Sequence, residues 1–490
     1  MSTLRITFSA RLRYAVVAAF TLVISFVTTV SVRGQTADRS TPPQPGQVRS
    51  LQLPPFSNTS LSNGIPVLLL EKHNTPLVEL RLVVKSGVAN EAAEMPGLAS
   101  MMFSMLTEGA GSRSALELAD AIDFLGADIS AGAGVHSSTV SLFTSVSKLD
   151  DALPLFADVA MRPTFPAAEL ERLRADRLTG IKQWKDQPRT IASLYFNRRL
   201  FGSKHPYGRP AVGNVPSLLA MKPGDLRAFH AAHVQAANVT LIVVGDVTAT
   251  SMMPRLEKAF GALGRGKPAV SMLPAVKQVA KRRIVIVNKP GAAQSEIRIG
   301  RIGAARNTPD YYALIVMNTL LGGSFSSRLN QNLREKNGYT YGARSSFVFR
   351  QNAGPFLAAA AVQTAVTDKA LTEFMNELKA IRETATDDEI ARAKNYVAYS
   401  YPQNFEAVSD IAGEISELVE YNLPFEYLSS FVPGILAVTK ADVQRVAAKY
   451  IDPDAIEIVV VGDRKEIEYG IKALKLGDVQ VIDVEDALAE

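Results

Sequence analysis

Residues 241–246 read LIVVGD and residues 458–463 read IVVVGD. Each is a short aliphatic, β-branched run closed by glycine, which predicts a buried strand. The two copies lie 217 residues apart, Asp246 to Asp463. The same offset carries Asp225 to Asp442 and Glu79-Leu80-Arg81 to Glu296-Ile297-Arg298. One constant offset over three separated segments predicts two copies of one α/β unit.

The elements around each copy support this. In the first unit, residues 51–265, a short apolar strand over 65–70 follows the turn Ser62-Asn63-Gly64. An alternating strand covers 77–85. Pro96-Gly97 opens a helix over 98–106, LASMMFSML, apolar on nearly every side and so buried. An amphipathic helix over 114–125 stops at Gly126. A strand over 137–147, a helix from about Asp150 and a long charged helix over 167–185 lead to the strand at 240–244. The second unit, residues 282–490, returns in the same order. Strands cover 284–287 and 295–300, an apolar helix 309–321, a strand 355–363, and a helical region runs from Asp387 past Tyr401 to the strand at 456–461. Residues 266–281, within the Pro- and Gly-bearing stretch 264–281, form the linker. Strands and helices do not alternate one to one. The expected class is therefore α+β: two homologous α/β sandwich domains, each a mixed, mostly antiparallel sheet with helices packed on it.

A chain of 490 residues is too long for one core. It has no cysteine, so disulfides and thiolate metal sites are excluded. The formal charge of +5 is carried mostly by Arg5, Arg11, Arg13 and Arg33, and without them it falls to +1. Near-neutrality gives no electrostatic case for nucleic acid. The first three of these arginines precede an uncharged run over 15–32, AVVAAFTLVISFVTTVSV, with small residues at Val32 and Gly34 before Gln35. The pattern predicts a signal peptide over residues 1–34 and an exported, periplasmic protein. The 18-residue run would also serve as a single membrane anchor if it were retained. Residues 35–50, QTADRSTPPQPGQVRS, read as a flexible linker.

The candidate chemistry lies in residues 321–346, LGGSFSSRLNQNLREKNGYTYGARSS. An amphipathic helix there stops at Asn337-Gly338 and passes into an alternating strand. Arg334 ends the helix and Tyr341 begins the strand. Both are hydrogen-bond donors that can hold a peptide carbonyl without a metal. The plain alternative is a surface arginine and a half-buried sheet tyrosine. Elsewhere, His230 and His233 sit three apart on a helix with no carboxylate cluster beside them. Ser100 and Ser104 have no histidine partner in local sequence. No G-x-x-x-x-G-K phosphate loop occurs.

Beyond residue 50 the chain resembles the pitrilysin/insulinase family of zinc peptidases, the inverzincins. The first half matches through Ser86-Gly87, Pro96-Gly97-Leu98-Ala99, Thr107-Glu108-Gly109, Leu125-Gly126-Ala127, His205-Pro206-Tyr207-Gly208 and Val244-Gly245-Asp246. The second matches through Leu321-Gly322-Gly323, Ser327-Arg328-Leu329, Leu333-Arg334-Glu335-Lys336 and Gly338 before Tyr341. The resemblance implies half of a clamshell. It also implies an H-x-x-E-H helix after Pro96-Gly97, with two histidine ligands, a base glutamate, and a third ligand near residue 181. This chain departs from that pattern. Ser100 and Ser104 stand at the histidine positions and Phe103 at the glutamate position, and residues 177–184, RLTGIKQW, hold no carboxylate. No metal ligand and no cofactor are expected in this chain. Arg334 and Tyr341 are the catalytic residues that the resemblance implies. The expected function is the non-zinc subunit of a heterodimeric peptidase. It binds an unfolded peptide and supplies these donors to a partner that carries H-x-x-E-H and zinc. The alternative is a catalytically inactive scaffold or peptide-binding subunit.

Overall fold

The computed structural model describes Gly46, residues 51–271 and residues 273–489. The expected signal peptide, and the linker over 35–50 apart from Gly46, lie outside the described residues. Residues 51–489 fall in one compact unit.

Six strands form the first sheet: β1 (Phe56–Ser60), β2 (Pro66–Glu71), β3 (Leu77–Val84), β4 (Asp128–Ala133), β5 (Ser138–Ser145) and β6 (Val239–Gly245). Their order is β1-β2-β6-β3-β5-β4. The second sheet has β7 (Arg283–Asn288), β8 (Gln294–Ile302), β9 (Thr340–Phe347), β10 (Pro355–Gln363), β11 (Glu457–Gly462) and β12 (Val479–Asp483). Its order is β12-β7-β11-β8-β10-β9, the same once β12 is set against β1. β6 pairs parallel with β2 and antiparallel with β3. β11 does likewise with β7 and β8. LIVVGD and IVVVGD are thus the central strands, and every residue of β6 and β11 is buried. The 217-residue offset recurs from Leu77 to Gln294 and from Ser138 to Pro355. It recurs again between helices Pro223–His233 and Lys440–Tyr450. The fold class read from the sequence stands: mixed, mostly antiparallel sheets with helices packed on them.

The two halves exchange a helix, which sequence reading missed. Label four helices α1 (Leu98–Ser104), α2 (Ala167–Gln183), α3 (Pro188–Phe201) and α4 (Val408–Tyr421). α3 belongs to the first half yet lies across β8 and β11 of the second sheet. Its Ile191, Ala192, Phe196 and Leu200 pack with Val285, Val287, Val459 and Val461. α4 belongs to the second half and lies on β3 and β6 of the first sheet. Its Val408, Ile411, Ala412 and Ile415 pack with Leu70, Val83, Ile242 and Val244. Each half therefore buries the apolar face of the other's sheet, and apolar burial is the dominant favourable term in folding. Polar contacts follow the exchange. Arg199 on α3 reaches the buried Glu457 on β11 at 2.8 Å, and Arg81 on β3 donates to the Ser409 carbonyl of α4 at 2.8 Å. No described helix is long and apolar enough to cross a membrane.

Candidate functional site

α1 starts at Gly97, whose φ of 89° is left-handed. A Cβ there would run into the backbone of Gly213, so only glycine fits this entry. Met101, Met102 and Phe103 are buried in the first core. This turns Ser100 and Ser104, four residues apart, toward α2. There they meet Arg177. Its guanidinium donates to Ser100 Oγ at 2.8 Å, Ser104 Oγ at 2.9 Å and the Ser100 carbonyl at 3.0 Å. A cationic side chain fills the space between the two positions where the family pattern places histidines. The residues do not fit a zinc ion. Hydroxyls are poor ligands, Phe103 has no lone pair, and a guanidinium carries five donors and no acceptor. Among the described residues no group of three His, Asp or Glu side chains is placed to hold a metal ion. Arg177 lay inside the 177–184 window. The family pattern places a carboxylate there, so a cation carries no motif signal.

Glu91 lies under the start of α1. It accepts from the Gly97 N–H at 3.1 Å and the Ala99 N–H at 2.8 Å, and Arg209 approaches to 3.3 Å. Burial pushes its carboxyl up to about 7, against the pull of those donors. A carboxyl raised in the folded state stabilises fully below its ordinary 4.5, and that stability is lost as pH rises through about 7. His136, lowered by burial to about 4, works oppositely: stability rises as pH climbs from about 4 toward 6.5. Wild-type minus Glu91→Gln therefore isolates the glutamate. We expect the stability difference, from urea melts across this range, to shrink with rising pH by up to about 3 kcal/mol. A pH-independent difference would contradict the shift.

The second candidate region is not one continuous helix. π-helical turns at Thr319–Gly323 and Gln331–Lys336 flank a short α-turn at Arg328–Asn330. Gly322 is required here, since a Cβ would collide with the Ser345 backbone on β9. Gly338, at φ 64°, then reverses the chain into β9. β9 is an edge strand of the second sheet. Between Thr340 and Ala343 its register against β10 shifts by one residue, a β-bulge. Thr340 Oγ1 pins the bulge, donating to the Ala361 carbonyl at 2.6 Å and accepting from the Gly342 N–H at 3.1 Å. The bulge turns Tyr341 outward, leaving it 91% exposed. Arg334 lies on the turn before, its Cζ 4.4 Å from the ring centroid of the exposed Phe325 and its Nε 3.5 Å from Glu335. Sequence-adjacent though they are, no hydrogen bond joins Arg334 to Tyr341. Tyr341 instead borders a groove of about 170 Å³ lined by Arg189, Glu296, Arg298, Thr340 and Arg344.

Four of the five histidines, His136, His205, His230 and His233, make structural contacts. His205 Nδ1 accepts from the Tyr207 N–H at 3.0 Å, and the Tyr207 hydroxyl meets His136 at 2.6 Å. Arg350 of the second half stacks over the Tyr207 ring at 4.2 Å. His230 bonds the Ala160 carbonyl at 2.9 Å, while His233 packs on Phe229.

Known proteins bear on this geometry. Residues 66–210 match the family described as Insulinase (Peptidase family M16), and residues 220–397 match the one described as Peptidase M16 inactive domain. The crystal structure of a peptidase M16 inactive domain from Pseudomonas fluorescens is similar at a TM-score of 0.78 and 30% identity, covering 83% of this chain and 98% of that one. The chain belongs to peptidase family M16. The structure of a protease from Helicobacter pylori has the M16 fold too, at a TM-score of 0.76 and 24% identity over 84% of this chain and 100% of that one. Zinc protease PqqE of the same organism is 24% identical over 81% of this M16 chain and 90% of its own length. An uncharacterised zinc protease of Mycobacterium leprae is 26% identical over 69% and 76%. Those relatives are named for zinc; this M16 chain holds Arg177 between Ser100 and Ser104.

Proposed function

We propose that this chain is the non-zinc subunit of a two-chain M16 peptidase. A partner of the same family, bearing H-x-x-E-H, supplies the metal and the base. The observation that carries the reading is a pairing of opposites. The metal position is closed by Arg177, while Tyr341 is presented bare on a bulged edge strand. In this reading an unfolded peptide adds alongside β9 through main-chain hydrogen bonds. The Tyr341 hydroxyl donates to the oxygen on which negative charge develops, and Arg334 holds a neighbouring carbonyl. Residues 51–265 and 282–490 act as the two domains, and the leader over 1–34 exports the protein to the periplasm. The rival reading is a peptide-binding subunit without a catalytic part, favoured by one detail: Arg334 rests on Phe325 rather than beside Tyr341. Co-purification from the source cell, followed by peptidase assays with and without chelator, separates them. The chain alone is expected to be inactive, and its complex with the partner active and chelator-sensitive. Chelator-sensitive cleavage by the pure chain would overturn the division of labour, and a partner whose activity is the same without this chain favours the scaffold.

A further inference from the structure

The groove beside Tyr341 carries more positive charge than the fold needs. Arg298 on β8 pairs with Ala359 on β10, and Ala359 pairs with Arg344 on β9. Residues paired across a sheet share a face, so the two arginines flank one alanine. Ala359 and Ala361 on the same strand give the groove a shallow floor. Arg189, at the start of α3, comes from the other half of the chain and lines the same groove. The helix exchange therefore builds it.

The charges do not cancel. Glu296 is the one carboxylate lining the groove, and it is committed to Arg298 at 2.8 Å. Arg298 is 3% exposed and also donates to the Ile297 carbonyl. No carboxylate among the described residues pairs with Arg189 or Arg344, and both are exposed. Burial lowers the proton affinity of Arg298, and the charges of Arg344 and Arg189 push it the same way, so the three guanidiniums share one field.

The internal repeat supplies a reference. In the first sheet the equivalent of Arg298 is Arg81, and the row paired with it is Ser141 and Ser130. Arg81 is held by Glu79 at 2.9 Å and the Ser409 carbonyl at 2.8 Å, and the two serines bond each other. Where the first copy has a neutral row, the second has two surplus cations at an open sheet edge.

We propose that this groove is a carboxylate subsite on the bound peptide, read by Arg344 and Arg189 next to Tyr341. The carboxylate belongs to an Asp or Glu side chain or to the peptide's own C-terminus. Guanidinium pairs carboxylate through two parallel N–H donors, which suits either source. The inference rests on the peptide-binding reading above.

The test is fluorescence anisotropy of the purified chain with fluorescein-labelled extended peptides of one sequence. One carries a central Glu and an amidated C-terminus, one a Gln with a free C-terminus, and one a Gln with an amidated C-terminus. At low salt, either or both carboxylate peptides should bind about fivefold or more tighter than the neutral one. The arm that gains identifies the source. The preference should vanish at high salt and in the R189Q/R344Q double variant, whose melting temperature should match wild type because both side chains are exposed. Equal binding of all three peptides, or a preference that survives in the double variant, overturns the subsite and leaves peptide binding standing. Binding of none removes the peptide-binding reading and the subsite with it.

Discussion

Tyr341→Phe is expected to lower kcat of the reconstituted two-chain peptidase by about 10²–10³, the roughly 3–4 kcal/mol of one oxyanion donor. The substitution removes one hydroxyl and keeps the ring. Tyr341 is 91% exposed and makes no hydrogen bond with any described residue, so the described fold loses nothing. Its variant should melt within about 0.5 kcal/mol of wild type. The contact forms only as charge develops on the substrate, so kcat should fall while KM stays nearly constant. A rise in KM alone would mean that Tyr341 binds peptide without taking part in the reaction. Unchanged kinetics would remove it from the site altogether.

Phe196→Ala is expected to cost about 3–5 kcal/mol of stability, as for other large aromatic truncations in packed cores. Phe196 is 1% exposed on α3, and it packs among Val459 and Val461 of the second sheet. Its ring also crowds Gly300 on β8, where no Cβ could be accommodated. Because a first-half helix seals a second-half sheet, the loss should move the unfolding transition of the whole chain. Leu219→Ala, at a site 61% exposed, is the control and should leave the transition in place. A biphasic melt in which only the second half weakens would show that the exchange does not couple the halves.

Much of the fold was legible because its signals are local. Alternation marks β3 and β5, an apolar run marks β6 and β11, and a left-handed Gly126 ends the helix that Ser114 caps. Three of the four edge strands, β1, β4 and β12, were missed: short and largely exposed, they carry little periodic signal. α3 was missed for a different reason. Its partners, Val459 and Val461, lie more than 250 residues away, and its value comes from that contact rather than from its own pattern.

The candidate site divides along the same line. That Ser100, Phe103 and Ser104 stand where a metal helix needs His, Glu and His is a statement about residue identity, and sequence alone determines it. So is the presence of Arg334 and Tyr341, and the 217-residue repeat. What replaces the metal is not. Arg177 reaches Ser100 and Ser104 from 77 and 73 residues away. The bulge that bares Tyr341 depends on pairing with β10, and the basic groove needs arginines from three separate elements. Identity and local period are carried by neighbours in the chain. Which charges meet, and which are left unpaired, is decided only when distant segments are brought to within a few ångströms by the burial of their apolar faces.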